Sequence, residues 1–280
     1  MCLVLGALVV QAFAQDAVKL EYKFTPGELQ RYKMIMAMDM QISMGDSKAQ
    51  MPPMTVQMVA VYRQRTKKVL PNGDAVLVTA FESIKMNMAG KSNDMPLDKI
   101  PLVTMTMSKN GQVKSIEGME KMAGAMGGSP LMNVSSMGQS SAALPSVPVN
   151  IGDIWTQDIP FPLGGGNIKA QGTLLSTDTK LGKFNVVTFK QDVGGDFDLS
   201  MPLPMGGDGS TASNITGNGS VQSGGTVFFS VEKGQLIRTA GTAKAQLTMN
   251  LPGAPQGQGP GQMGMNMTMN FEMFQISSGK

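Results

Sequence analysis

The sequence predicts a mainly β protein: a long-stranded, curved antiparallel sheet or half-barrel, built as two tandem related modules with a short helix between them. Three observations predict this. Apolar and polar residues alternate over long stretches, compact Gly-containing turn signals punctuate them, and one strand–turn–strand motif recurs in the same order in both halves.

Alternation is clearest in YKMIMAMDMQISM (32–44), where Met34, Met36, Met38, Met40 and Met44 share one parity with Ile42 and polar residues such as Lys33, Asp39, Gln41 and Ser43 hold the other. Successive side chains of a strand point to opposite faces, so this pattern is a half-buried strand. The same reasoning predicts strands over 18–24, 29–44, 54–70, 75–88, 102–108 and 112–116. In the second half it predicts 154–159, 168–177, 183–191, 196–201, 220–231, 236–249 and 263–276. Several exceed the usual five or six residues, which suits a strongly twisted sheet that curls.

The turns fit antiparallel pairing. Pro71-Asn72-Gly73-Asp74 carries the Asn-Gly hairpin signal, and Lys109-Asn110-Gly111 and Glu232-Lys233-Gly234 occupy corresponding places in the two halves. VTMTMSKNGQVKSIEG (103–118) aligns with TVFFSVEKGQLIRTAG (226–241), and PGELQRY (26–32) aligns with IGDIWTQ (151–157). Gly27 to Gly111 is 84 residues and Gly152 to Gly234 is 82, so both motifs recur in order at matching spacing. The expected organisation is a signal peptide over 1–14, module one over 15–128, a linker over 129–148 and module two over 149–280. Met119, Met122 and Met126 lie at helical spacing before Gly127-Gly128, which predicts the short helix that closes module one. The stretches 204–225 and 252–261, rich in Gly, Ser, Pro and Gln, read as hairpin ends.

The N-terminal run CLVLGALVV followed by Ala12-Phe13-Ala14 resembles the apolar segment and small-x-small cleavage site of a secretory signal, with the cut expected after Ala14. Export to the periplasm or outside the cell follows as an expectation. Cys2 is the single cysteine, so the mature chain has no disulfide, thiolate metal site or cysteine nucleophile. No later apolar run has the length of a transmembrane helix.

Composition removes further chemistries. With no histidine, Ser-His and Cys-His catalysis and imidazole-bound metals are excluded, and the acidic residues form no distinguished pair. The expectation is a non-enzyme without a cofactor. A net charge of +3 gives no case for nucleic acid, and Arg63, Arg65, Lys67 and Lys68 read as a solvated strand face. Gly164-Gly165-Gly166 lacks the Lys-Ser/Thr of a phosphate loop. Asp192, Asp196 and Asp198 in DVGGDFD read as a turn between two strands rather than a calcium site.

The 27 methionines remain. Met is unbranched and polarizable, suited to irregular space and varied apolar ligands. Candidate liners of an apolar binding face are Met34, Met36, Met38, Met40, Met105, Met107, Met265, Met267 and Met269. The expected function is non-catalytic binding of a lipid or acyl chain on that concave face. The alternative is an envelope protein that uses the face only for packing. A lesser alternative is Cu(I) held by thioethers alone, which soft-ligand chemistry allows.

Long alternating strands, an export signal and a helix able to cover an apolar face resemble the periplasmic lipoprotein-carrier half-barrel (LolA/LolB-like), and also secreted bacterial β-rich proteins of unknown function with Gly-Asp/Glu-x-aromatic openings. The carrier resemblance is architectural, with no diagnostic motif matched. It implies a curved sheet whose apolar interior receives acyl chains.

Overall fold

Twelve strands account for nearly all regular structure in the computed structural model, which describes residues 17–44, 52–88, 90–118, 142–159, 165–166, 168–202, 214–251 and 261–277. They are β1 (Leu29–Met44), β2 (Met54–Val69), β3 (Ala75–Met88), β4 (Lys91–Asp94), β5 (Val103–Met107) and β6 (Val113–Glu117). The second half supplies β7 (Ile154–Ile159), β8 (Ile168–Leu181), β9 (Phe184–Pro202), β10 (Asn214–Ser230), β11 (Gln235–Leu251) and β12 (Gly261–Ile276). One 3-10 turn, Leu97–Lys99, precedes β5. The expected leader (1–14) and inter-module helix (119–126) lie outside the described residues.

All strands belong to one antiparallel sheet with the order β6-β5-β3-β2-β1-β12-β11-β10-β9-β8-β7, and β4 pairs with β3 off this path. The sheet is a meander in which chain neighbours are mostly spatial neighbours. It is wrapped so that the first strand pairs with the last, from Arg31↔Ile276 to Met44↔Met263. It curls into a nearly closed barrel with β6 and β7 as its two edges. Both halves therefore share one continuous sheet.

The parity of each strand sets the two faces. Inward positions on β1 and β12 are Tyr32, Met34, Met36, Met38, Met265, Met267, Met269, Phe271 and Met273, all buried. Outward positions such as Asp39, Gln41, Lys244, Asn266, Thr268 and Asn270 are exposed. Burial of a large apolar side chain stabilises by about 1.5–3 kcal/mol, so this inner face supplies the main driving force. A barrel that spans lipid carries its apolar band outside, and these strands carry polar residues there. No helix among the described residues is long and apolar enough to cross a membrane.

Two straps close one end. Residues 17–28 cross the end bearing the β2–β3, β5–β6 and β10–β11 turns: Val18 bridges Val149, Tyr22 N–H donates to Lys109 O (2.7 Å), Lys23 N–H to Gly234 O (3.1 Å) and Gly27 N–H to Thr66 O (2.8 Å). Residues 142–149 form the second strap, in which Leu144 N–H donates to Asn110 O (2.9 Å) and Trp155 Nε1–H to Ala143 O (2.9 Å). This strap joins the β5–β6 turn to β7, bridging the gap between the sheet's edges.

Three expectations are corrected. Residues 18–24 are a strap held by scattered bonds, with only Val18 in a bridge. The predicted strands 183–191 and 196–201 are one strand, β9, and the supposed turn DVGGD continues through it: Gly194 and Gly195 pair with Gln222 and Val221 of β10. Pairing on both flanks keeps the segment extended despite its glycines. Residues 214–219, expected only in a hairpin end, are strand and extend the predicted 220–231 into the longer β10. Of the expected linker, residues 142–148 are described, and Ala142, Ala143 and Leu144 there are buried.

Candidate functional site

The registers turn the inward residues into rows that run across the strands. One row is Met86–Met58–Met36–Phe271–Gly241–Gly225–Gln191–Gly172–Trp155, from β3 round to β7. The next is Met88–Val56–Met38–Met269–Ala243–Ser223–Val193–Ala170–Gln157. A third contains Met54, Met40, Met267, Ala245, Val221 and Gly195. Directly opposed Cβ atoms in such pairs lie about 4.5–5.5 Å apart, so side chains along a row touch.

The rows divide the inner face into two unlike walls. Strands β3, β2, β1 and β12 carry a wall of Met and Phe. Strands β11, β10, β9 and β8 carry Gly, Ala, Ser and Val at the same heights. Bulky side chains reach across into the small wall where glycine leaves room. Phe271 lies over its partner Gly241, Phe197 over Gly219 and Trp155 over Gly172, each a direct cross-strand pair. A Cβ at Gly241 or Gly219 would come within 2.9 Å and 2.7 Å of those phenyl rings.

Burial differs between the walls. Met34, Met36, Met38, Met267 and Met269 are at most 8% exposed, whereas Val193, Gly195, Val221, Ser223, Ala243 and Ala245 are half-buried although they point inward. This half-buried band lies between two apolar clusters and packs against them, Ala243 and Ala245 on the one and Val193 and Val221 on the other. Below it lie Phe189, Val227 and Leu174; above it lie Phe197, Leu199, Leu247 and Met249. Met40 packs against both.

Of the predicted liners, Met34, Met36, Met38, Met40, Met265, Met267 and Met269 stand together on β1 and β12. Met105 and Met107 belong to the same buried cluster as Met34, Met36, Met38, Met267 and Met269 but stand on β5 at its far end. They pair with Leu77 and Ala75 at the strapped end, beyond the layer Tyr32–Tyr62–Phe81. The predicted liners leave out Met54 and Met58, whose alternation on β2 was available, and Met273, although the sequence shows it continuing the β12 stripe. They also miss the small wall, because glycine and alanine carry no strong inward or outward signature.

The strapped end is aromatic. Tyr22 packs edge-on against Phe229 at 5.2 Å and Tyr32 stacks on Tyr62 at 5.5 Å. Tyr22 Oη accepts from Ala142 N–H (2.8 Å), Tyr32 Oη lies 2.6 Å from Gln30 Oε1, and Tyr62 Oη donates to Met273 Sδ (2.7 Å). Burial pushes all three phenols well above their ordinary value. A void of about 20 Å³ lined by Tyr32, Gln64, Thr66 and Met107 has room for roughly one water.

Among the described residues no three His, Cys, Asp or Glu side chains cluster as a metal site. Asp192, Asp196 and Asp198 are spread along the outer face of β9, opposite Gly224, Ser220 and Asn218. Met36, Met58 and Met86 set three thioethers side by side, a soft donor set.

No protein-family model matches the chain, and no curated protein matches it. Among solved structures, lipovitellin, studied for its lipid–protein interactions, is 9% identical with a TM-score of 0.43 over 91% of this chain and 26% of that one. This chain thus spans about a quarter of lipovitellin's length. Pseudomonas aeruginosa OccK2 (OpdF), solved with glucuronate, is 6% identical with a TM-score of 0.21 over 90% of this chain and 100% of that one. At these scores neither likeness bears on function.

Proposed function

We propose that this protein is a non-catalytic, exported binding protein that holds a lipid or acyl chain inside its barrel, between the methionine wall and the band of small residues. The observation that carries the reading is the half-burial of Val193, Val221, Ser223, Ala243 and Ala245 on an otherwise buried inner face. These residues, apolar but for Ser223, form a strip facing inward without full cover, which is the character of a ligand groove. The adjoining thioethers supply the adaptable side of such a groove, since Met changes rotamer at little cost. Export follows from the expected cleavage after Ala14.

A second reading has its own observation. Met34, Met36, Met38 and Met269 are already buried without a ligand, as in a face used only for packing. Native mass spectrometry of the protein from its own host separates the two. The binding reading expects a mature chain beginning at Gln15 that carries an added lipid mass, released when the protein is denatured. A chain of bare mass that also fails to take up added dodecan-1-ol or dodecanoate overturns it in favour of packing.

A further inference from the structure

On the binding reading above, we infer that the ligand is a neutral, long-chain amphiphile with a hydrogen-bond-donating head group of the hydroxyl type, and that Gln157 receives that head. Two independent features of the inner face point to it.

The first is charge. Between β3 and β7 the three inward rows carry no Asp, Glu, Lys or Arg, and exposed Lys91 of β4 extends the second row beyond Met88; charged residues such as Lys33, Asp39, Lys169, Lys190, Asp192 and Lys244 stand at the opposite parity. A carboxylate or phosphate drawn into this face finds no countercharge, and an unpaired ion in an apolar setting is strongly disfavoured. A neutral head meets no such penalty.

The second is an unpaired acceptor. Gln157 lies on β7 between the inward Trp155 and Ile159 and pairs with Ala170. Its Oε1 is buried and, among the described residues, has no hydrogen-bond partner. Buried acceptors are almost always satisfied, so one left open on the inner face asks for a donor. Two donors on this side of the barrel are committed elsewhere. The second strap gives Ala143 N–H to Gln191 Oε1 (2.9 Å), and Trp155 Nε1–H goes to Ala143 O. These contacts floor the row beneath Gln157. Above that floor, the row of Gln157 runs through Ala170, Val193, Ser223 and Ala243 to Met269, so a head at Gln157 continues into the half-buried band. From Gln157 on β7 to Ala243 on β11 the row crosses five strands, and at about 4.8 Å spacing it is roughly 19 Å long, enough for a medium or long alkyl chain.

Displacement of Nile red from the full chain by dodecan-1-ol, dodecanoate and dodecane at about pH 8, where the acid is ionised, tests this. Dodecan-1-ol is expected to displace at roughly tenfold lower concentration than dodecanoate. Gln157→Leu and Gln157→Met should each weaken dodecan-1-ol by about tenfold while leaving dodecane unchanged, the size expected for losing one buried hydrogen bond. Both variants exchange an unpaired buried polar atom for an apolar one, so both should keep the wild-type circular dichroism and melting temperature. Dodecanoate binding as well as the alcohol, or a substitution that alters alcohol and alkane equally, overturns the head-group assignment alone. Failure of all three probes to displace the dye overturns the binding reading with it.

Discussion

Each of the chain's three tyrosines ends in a buried hydroxyl at the strapped end of the barrel, and burial holds each phenol well above its ordinary value near 10. Because the folded state resists ionisation while the unfolded chain does not, the stabilisation is complete below about pH 10 and is lost progressively as pH rises from there towards the folded values. Each tyrosine removes about 1.4 kcal/mol per pH unit in that window. Absorbance at the tyrosinate band should therefore stay flat to about pH 11 and then rise together with loss of the native circular dichroism; free titration near 10 in a folded protein would contradict the buried placement. Glycine matters at the same scale. A Cβ at Gly172 falls inside the Trp155 indole, so Gly172→Val must move the only tryptophan or the strap that Trp155 holds through Ala143 O. Overpacking of this kind costs about 1–3 kcal/mol, measurable as a lower urea midpoint with a shifted Trp emission.

At the scale of elements, the methionine strands make a claim about chemical access. Met44 and Met88 are 49% and 47% exposed at the strand ends, whereas Met269 and Met273 are 1% and 2% exposed in the middle of the same inner face. Mild peroxide should convert Met44 and Met88 to sulfoxide first, with the inner stripe modified only when the barrel opens; peptide mapping reads the order directly, and early oxidation of Met269 would contradict the fold. These strands were legible in the sequence because β1, β12 and β2 alternate cleanly between Met and polar residues. Strand β9 was not, since Gly194-Gly195 between aspartates reads as a turn when the flanking pairing to β8 and β10 is unknown. The straps were half legible. Residues 18–24 alternate as a strand does, yet their backbone groups go to three different turns and strands, which no local pattern encodes. For the site, the methionine wall was readable and the small wall was not: Gly225, Ser223 and Ala243 gain meaning only when the register sets them beside Met269 and Phe271.

For the whole molecule, the sequence repeat and the connectivity together determine how the barrel comes apart. The two openings make the same bonds. Gly27 N–H donates to Thr66 O and Thr66 N–H to Glu28 O; Gly152 N–H donates to Leu174 O and Leu174 N–H to Asp153 O. Gly27 and Gly152 both take the left-handed conformation, with φ of 83° and 90°. The repeated hairpins then exchange straps. The strap leading into β1 bonds Gly234 O in the second half, and the strap leading into β7 bonds Asn110 O in the first. Added to the full-length β1–β12 ladder, this exchange means that neither half retains its neighbours if the other unfolds. Independent modules would melt separately, but halves that share a sheet and hold each other's straps should melt together. The chain carries its own reporters: Trp155 lies in the second half, while Tyr22, Tyr32 and Tyr62 all lie in the first. Urea curves followed by Trp fluorescence and by near-ultraviolet tyrosine signal should coincide in midpoint and slope. Gly111→Ala supplies the sharper form of the test. Its φ is +83° and an added Cβ falls on Ala142 O of the second half's strap, so a substitution in the first half should lower both midpoints equally. A shift confined to the tyrosine curve would mean that the halves fold as separate units, and the shared barrel would have to be abandoned.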